Sequence, residues 1–306
     1  MRVTNSLITH DTIARLQQNQ KRVAEAQERV TTGLRVRKMS DDPSDASSLL
    51  QTLGSLRALA QYRRNVQALG SRLDAEEGSL DQVTQLLTRA KELAAGQLGA
   101  NASADSRAAA ALEVQQLLEQ TVAVANTKFD DEFLFGGANS AASQPFDRTQ
   151  TGQSPLYVSL QGSPPAPLRP QGTRAIEIAA GQTMPGVHDG DTVFVQTGVL
   201  QSLHDLQGAL ASNSPAGIDA AMSAIDGAMQ GVQSLVGDVG ARQNRIETLG
   251  TGFDALQQYL EARKSDLREV DMETAITEML NRQTAYQAAM MAASKVMGMS
   301  LTDYLR

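Results

Sequence analysis

Ile218, Ile225, Val232, Val239, Ile246, Phe253, Leu260 and Leu267 stand seven residues apart. An apolar period of 3.5 residues held over that distance requires one helix of about 50 residues, on the order of 75 Å long, packed in the left-handed manner of a coiled coil. Met222, Met229 and Val236 read as the alternate seam position. The N-terminal half repeats the pattern: Leu59, Val66, Leu73, Leu80 and Leu87 step by seven, flanked by Tyr62, Leu69 and Val83. A weaker helix follows "NASADS" through Leu112, Leu118, Val122 and Ala125. Two long stripes in one chain are most economically buried against each other. The spacing therefore predicts an antiparallel bundle with 43–98, 104–128 and 216–267 as its rods.

Composition agrees with thin helical seams rather than a thick core. Of 306 residues, 41% are apolar but only 4% aromatic, and tryptophan is absent; with so few large rings, Ala, Leu, Val and Met must do the packing.

Between the two stripes the texture changes. Seven of the nine prolines lie between Pro145 and Pro185, among alternating runs such as "LYVSLQG", "AIEIAAG" and "TVFVQTG". Proline and glycine interrupt helices and alternation favours strands, so 137–197 is expected to be a small β-rich insertion at the far end of the rod. Because it interrupts neither stripe, 140–195 is expected to be removable without loss of the helical seam.

Both ends of the chain carry diluted versions of the heptad. Leu16, Val23 and Val30 are seven apart, with Ile13 and Leu34 on the same stripe but Gln20 and Gln27 in the seam. At the other end Ile276, Met290, Met297 and Tyr304 share a position with Gln283, and Met272, Met279, Tyr286 and Ala293 take the partner position. Ordering some 40 residues costs roughly 1–2 kcal/mol each in backbone entropy. A narrow Ala/Met/Gln stripe returns only about 25 cal/mol per Å² of apolar surface buried. Such arms are expected to be ordered only in company, with Leu16, Val23, Val30, Ile276, Met279, Tyr286, Met290, Met297, Leu301, Tyr304 and Leu305 as the assembly face.

The chemistry-bearing residue types are sparse. In "MSDDPSDASS" Asp42 reads as a helix N-cap, Pro43 as the first helical position and Asp45 as a first-turn carboxylate closing a capping box. A metal reading of Asp41, Asp42 and Asp45 lacks a supporting histidine or further acid. His10, His188 and His204 fall in three different segments without ligand spacing. No phosphate-binding glycine loop or nucleophile elbow occurs, cysteine is absent, and nothing nominates a catalytic residue or a cofactor. Met290, Met291, Met297 and Met299 could suggest a peptide groove, although methionine at helical spacing is ordinarily packing. The net charge of −7 splits into +5 on the first forty residues, −1 on the last forty and −11 between them, which disfavours nucleic acid as a partner. The first twenty residues hold no apolar run of the length a cleaved signal needs, and no stretch approaches a membrane span.

Four stretches, in order, resemble the flagellin-related axial proteins: "TTGLRVRKMSDDPSDA" (31–46), "ANTKFDDEFLFGGANSAASQPF" (125–146), "VGDVGARQNRIE" (236–247) and "VDMETAITEMLNRQTAYQAAMMAASKVMGMSLTDYL" (270–305). The Ser-Leu-x-x-Tyr-Leu finish is similar to the hook-filament junction members rather than to the filament subunits. The resemblance implies a structural protein: a ring of copies that adapts the hook, through hook-associated protein 1, to the flagellin filament. It also implies unfolded export by the flagellar type III apparatus without a cleaved signal, a cytoplasmic export chaperone on the C-terminal region, and an extracellular position on the flagellum. Neither an enzyme activity nor a cofactor is implied. A short flagellin, and in another class a cytoplasmic coiled-coil signalling protein, are the competing readings. The expected fold is mainly α: a long antiparallel coiled-coil-like rod (43–136 and 198–267), a β-rich outer insertion (137–197), and helical terminal arms (1–42 and 268–306) that are disordered in the monomer and form the inner layer of the assembly.

Overall fold

The computed structural model describes residues 2–99, 102–139, 144–146 and 170–304. Six helices carry the chain: α1 (Arg2–Thr32), α2 (Pro43–Gln97), α3 (Ala104–Ala125), α4 (Val199–Ala211), α5 (Pro215–Arg268) and α6 (Met272–Tyr304). Between α3 and α4 lie two hairpins, β1 (Lys128–Phe129) with β2 (Glu132–Phe133) and β3 (Ala175–Ala179) with β4 (Gln182–Pro185), both antiparallel. The chain divides into two compact units, Leu59–Asp254 and the pair Met1–Ala58 with Ala255–Arg306.

In the Leu59–Asp254 unit the predicted stripes are the core. Leu59, Val66, Leu73, Leu80 and Leu87 of α2 are buried, as are Ile218, Ile225, Val232, Val239 and Phe253 of α5. The two helices run antiparallel, cross-linked by Arg63–Asp254 (3.0 Å), Gln243 to Asp74 and Glu77 (3.0 and 2.9 Å), and Lys91–Asp226 (2.5 Å). One detail of the seam differs from expectation. Its alternate position on α5 is filled by the buried alanines Ala221 and Ala228, while Met222 and Met229 are only half-buried beside them. Small side chains at that position suit close packing, and the longer methionines cover the flank.

Helix α3 starts where Ser103 Oγ accepts the Ser106 N–H (3.1 Å), an N-cap that offsets an otherwise unpaired helix-end donor. It packs on α4, a helix that the heptad spacing does not predict. The signal for α4 was present in the spacing of Leu200, Leu203, Leu206 and Leu210, all buried, but its 13 residues are too short to show a sustained heptad. Arg107, nearly buried in this pairing, donates to the Gln97 carbonyl (3.1 Å) and to Asn213 Oδ1 (2.6 Å).

The segment between α3 and α4 departs from the β-rich expectation in two ways. "AIEIA" does form strand β3, but "TVFVQ" (192–196) lies in a turn of π-helix, Asp191–Gln196, not a strand. The reason is burial on consecutive positions: Val193 and Phe194 both have no exposed surface, whereas strand alternation would turn one of them outward. Asp191 holds the turn by accepting from Gln171 Nε2 (2.8 Å) and Gln196 Nε2 (2.9 Å). "LYVSLQG" (156–162) lies outside the described residues.

The second departure concerns dispensability. Phe194 meets Phe135 edge-on at 5.1 Å and Phe146 at 5.5 Å, and all three rings are fully buried together with Ile178 and Met184. Gly190 is held against this cluster by its N–H to the Phe135 carbonyl (2.9 Å), and a Cβ there would sit 2.7 Å from that oxygen and from the Phe146 ring. Glu132, on the β1–β2 hairpin, bridges Arg72 of α2 (2.5 Å) and Arg174 (3.1 Å). Cutting out 140–195 would therefore remove two of the three rings, Phe146 and Phe194, and the expectation that this segment can be deleted without cost is withdrawn.

In the other unit, both arms are grouped with the adjoining ends of α2 and α5. A knot of backbone bonds joins the roots of the arms. Arg35 N–H donates to the Arg268 carbonyl (2.7 Å), Val270 N–H donates to the Gly33 carbonyl (2.9 Å), and Leu34 bridges Glu269. These tie the turn that follows α1 to the end of α5 and the turn that precedes α6.

Candidate assembly interface

Helix α1 ends at Gly33, whose φ of +67° reverses the chain without the steric cost a side chain would bring. Nine residues further on, Asp42 Oδ1 accepts the N–H groups of Ser44 and Asp45 (both 3.1 Å), the geometry of an N-cap with Pro43 at the first helical position. Asp45 does not reach back to close a capping box; its carboxylate pairs with Arg35, which also bonds Asp42 (3.3 Å) and the Leu267 carbonyl (3.0 Å). Asp41 accepts from the N–H groups of Arg37 (3.1 Å) and Lys38 (2.9 Å). Asp42 and Asp45 thus share Arg35 while Asp41 turns to the backbone of Arg37 and Lys38, and among the described residues no group of three potential metal ligands converges anywhere.

Helix α6 starts on a similar cap: Asp271 accepts from Glu273 N–H (3.1 Å) and from the Thr274 hydroxyl (2.7 Å). Donors aimed at a carboxylate favour its charged form. The N–H groups of Lys38 and Arg37 hold Asp41 below the ordinary carboxylate range, the Asp45 N–H does the same for Asp42, and the Thr274 hydroxyl does so for Asp271. Carboxylates that bind protons more weakly when folded contribute stability above their unfolded pKa of about 3.9, and that contribution is lost as pH falls through the lower folded values. The Asp41 and Asp42 caps ahead of α2 are expected to hold from neutral pH down to about 4 and to loosen below it, read as movement of the Lys38 and Ser44 amide signals in an NMR pH titration. Unchanged signals at pH 2 would reject the capping role.

Helices α1 and α6 pack on each other, joined by Arg29–Glu278 (3.4 Å) with Glu278 also paired to Arg282. What closes this contact is alanine. Among the described residues of the two helices only Ala26, Ala275 and Ala293 are buried. Leu16, Val23, Val30, Met279 and Tyr286, chosen from the heptad, are half-buried, and Ile276 (41%) and Met290 (50%) are exposed. Met272, Leu280, Met291 (69%), Leu7 and Ile13 are exposed as well. Met297, Leu301 and Tyr304 belong to α6 but their side chains, like Leu305 as a whole, lie outside the described residues. The heptad placed the larger side chains on the seam, whereas the pair meets along a line of alanines and leaves the larger ones on its flanks. Among the described residues each arm so keeps large apolar side chains exposed. No helix among the described residues is long and apolar enough to cross a membrane.

Comparison with known proteins gives this face a context. Residues 3–140 match the bacterial flagellin N-terminal helical region and residues 222–305 the bacterial flagellin C-terminal helical region. The flagellin of Bacillus subtilis (strain 168) is 24% identical over 319 residues, covering 100% of both chains. Flagellar hook-associated protein 3 of Escherichia coli (strain K12) is 27% identical over 304 residues, covering 90% of each. The crystal structure of flagellar hook-associated protein 3 from Legionella pneumophila superposes with a TM-score of 0.61 at 16% identity, covering 72% of this chain and 98% of that one, a likeness of fold. With both helical regions matched in order and over most of its length, this chain belongs to the flagellin-related family of flagellar axial proteins.

Proposed function

We propose that the chain is a structural subunit of the hook-filament junction of the bacterial flagellum. The observation that carries an assembly role is the exposed apolar face of α1 and α6, with Leu7, Ile276, Leu280, Met290 and Met291 uncovered on helices whose buried residues, among those described, are alanines. A face of this kind is stable in water only when further copies cover it. In the free subunit the arms are disordered, and they gain their helical order as concentric layers when copies assemble into a ring. Leu16, Val23, Val30, Ile276, Met279, Tyr286, Met290, Met297, Leu301, Tyr304 and Leu305 supply the contact.

The junction reading, rather than a filament one, rests on the match to hook-associated protein 3 of E. coli over 90% of both chains and on the Ser-Leu-x-x-Tyr-Leu finish. The ring's neighbours are then hook-associated protein 1 on the hook side and flagellin on the filament side. The subunit reaches them by flagellar type III export, unfolded, after an export chaperone has covered the apolar C-terminal face. A short flagellin is the second reading, favoured by the alignment with B. subtilis flagellin across the full length of both chains. Deleting the gene separates the two: hooks without filaments, with flagellin shed into the medium, are expected for a junction subunit. Normal filaments, or loss of the filament protein itself, would reject the proposal.

A further inference from the structure

The seam of α2 contains one residue that does not belong in an apolar stripe. Leu69, Leu73, Leu80, Val83 and Leu87 are fully buried, and so is Glu76, which occupies the seam position between Leu73 and Leu80. Its Oε2 is buried without a hydrogen-bond partner. Everything that compensates the charge arrives at Oε1 from one place, residues 186–190 between β4 and the π-helical turn. His188 donates its backbone N–H at 3.1 Å and lies with ring Nδ1 at 2.6 Å. Its other ring nitrogen, Nε2, lies 3.0 Å from Asp238 of α5, and Asp238 is paired with Arg242 one turn on (2.6 Å). Arg242 then returns to the same strap, donating to the Gly186 carbonyl at 2.5 Å. The neighbouring Asp189 is occupied elsewhere, on the N–H groups of Gly172 and Thr192.

We propose that Glu76, His188, Asp238 and Arg242 form a charge lock through which the 186–190 strap licenses closure of the α2–α5 seam. A carboxylate taken out of water is tolerated only when it is paired, and half of a buried pair is far worse than none. Without His188, the long helices would have to bury Glu76 alone or leave a gap at the middle of their stripe. Glu76 thus makes the helical pair depend on a segment 112 residues further along the chain. The rod and the segment between α3 and α4 become one cooperative unit, independently of what the assembled protein does.

Four proteins test this by calorimetry: the natural chain, His188→Ala, Glu76→Leu and the double variant. His188→Ala is expected to melt about 10 °C lower, since it leaves the buried carboxylate without its ring partner and with only the backbone N–H of residue 188. Glu76→Leu is expected to melt within a few degrees of the natural chain or above it, because an apolar residue suits the seam. The double variant is expected to regain at least half of what His188→Ala loses. Hydrogen exchange supplies an independent reading. In the double variant amides 186–190 should exchange faster while those of α2 and α5 stay protected. A double variant that melts as low as His188→Ala, or whose helices lose protection together with the strap, overturns the lock. Should His188→Ala fail to fold, a soluble double variant supports the proposal and an insoluble one refutes it.

Discussion

Replacing Met290 by Asp is expected to abolish motility in a strain that depends on this protein, while shifting the melting temperature of the purified subunit by no more than about 2 °C. Met290 is half exposed on α6, outside the alanine line that joins α6 to α1, so a carboxylate there remains hydrated in the isolated chain. Assembly would desolvate it. An unpaired charge driven into an apolar contact costs several kcal/mol per copy, and a ring repeats that cost at every subunit. The variant should still be secreted, which the culture medium reports. A subunit that melts far lower would place Met290 in an intrachain core, and a motile strain would remove α6 from the contact between copies.

The second large effect concerns stability rather than assembly. Phe194→Ala is expected to cost about 3–5 kcal/mol and to lower the melting temperature by about 10 °C. Its ring has no exposed surface and is packed edge-on against both Phe135 and Phe146, so truncation leaves a cavity that three separate chain segments would have to move to fill. Calorimetry on the purified subunit measures it. A loss below about 1 kcal/mol, the range of an ordinary surface substitution, would mean that the segment between α3 and α4 is only loosely held. The original expectation that it can be removed would then return.

The long helices could be read directly because their information is local and repeated. A seven-residue step in Ile218 through Leu267 and in Leu59 through Leu87 admits one geometry, and α2 and α5 follow it to within a residue or two at each end. Asp42 and Pro43 were legible for the same reason, since a cap acts on the next three residues. The sequence by itself therefore determined a mainly helical chain of long paired rods with weakly apolar arms, and its similarity at four stretches pointed to the flagellar axial family. What it left undecided depends on contacts distant in the chain. The π-helical turn at 191–196 exists because Phe135 and Phe146 accept Phe194, and alternation alone mistook it for a strand. The arms meet through Ala26, Ala275 and Ala293 because close approach of two helices selects small residues, which a search for bulky heptad positions overlooks. His188, set aside as a lone histidine, acquires a role only when the fold brings it to Glu76 across 112 residues of chain. Periodicity carries the energy of a surface being buried, whereas the identity of what covers it is decided by tertiary packing, where one charge, one ring or one alanine outweighs the pattern.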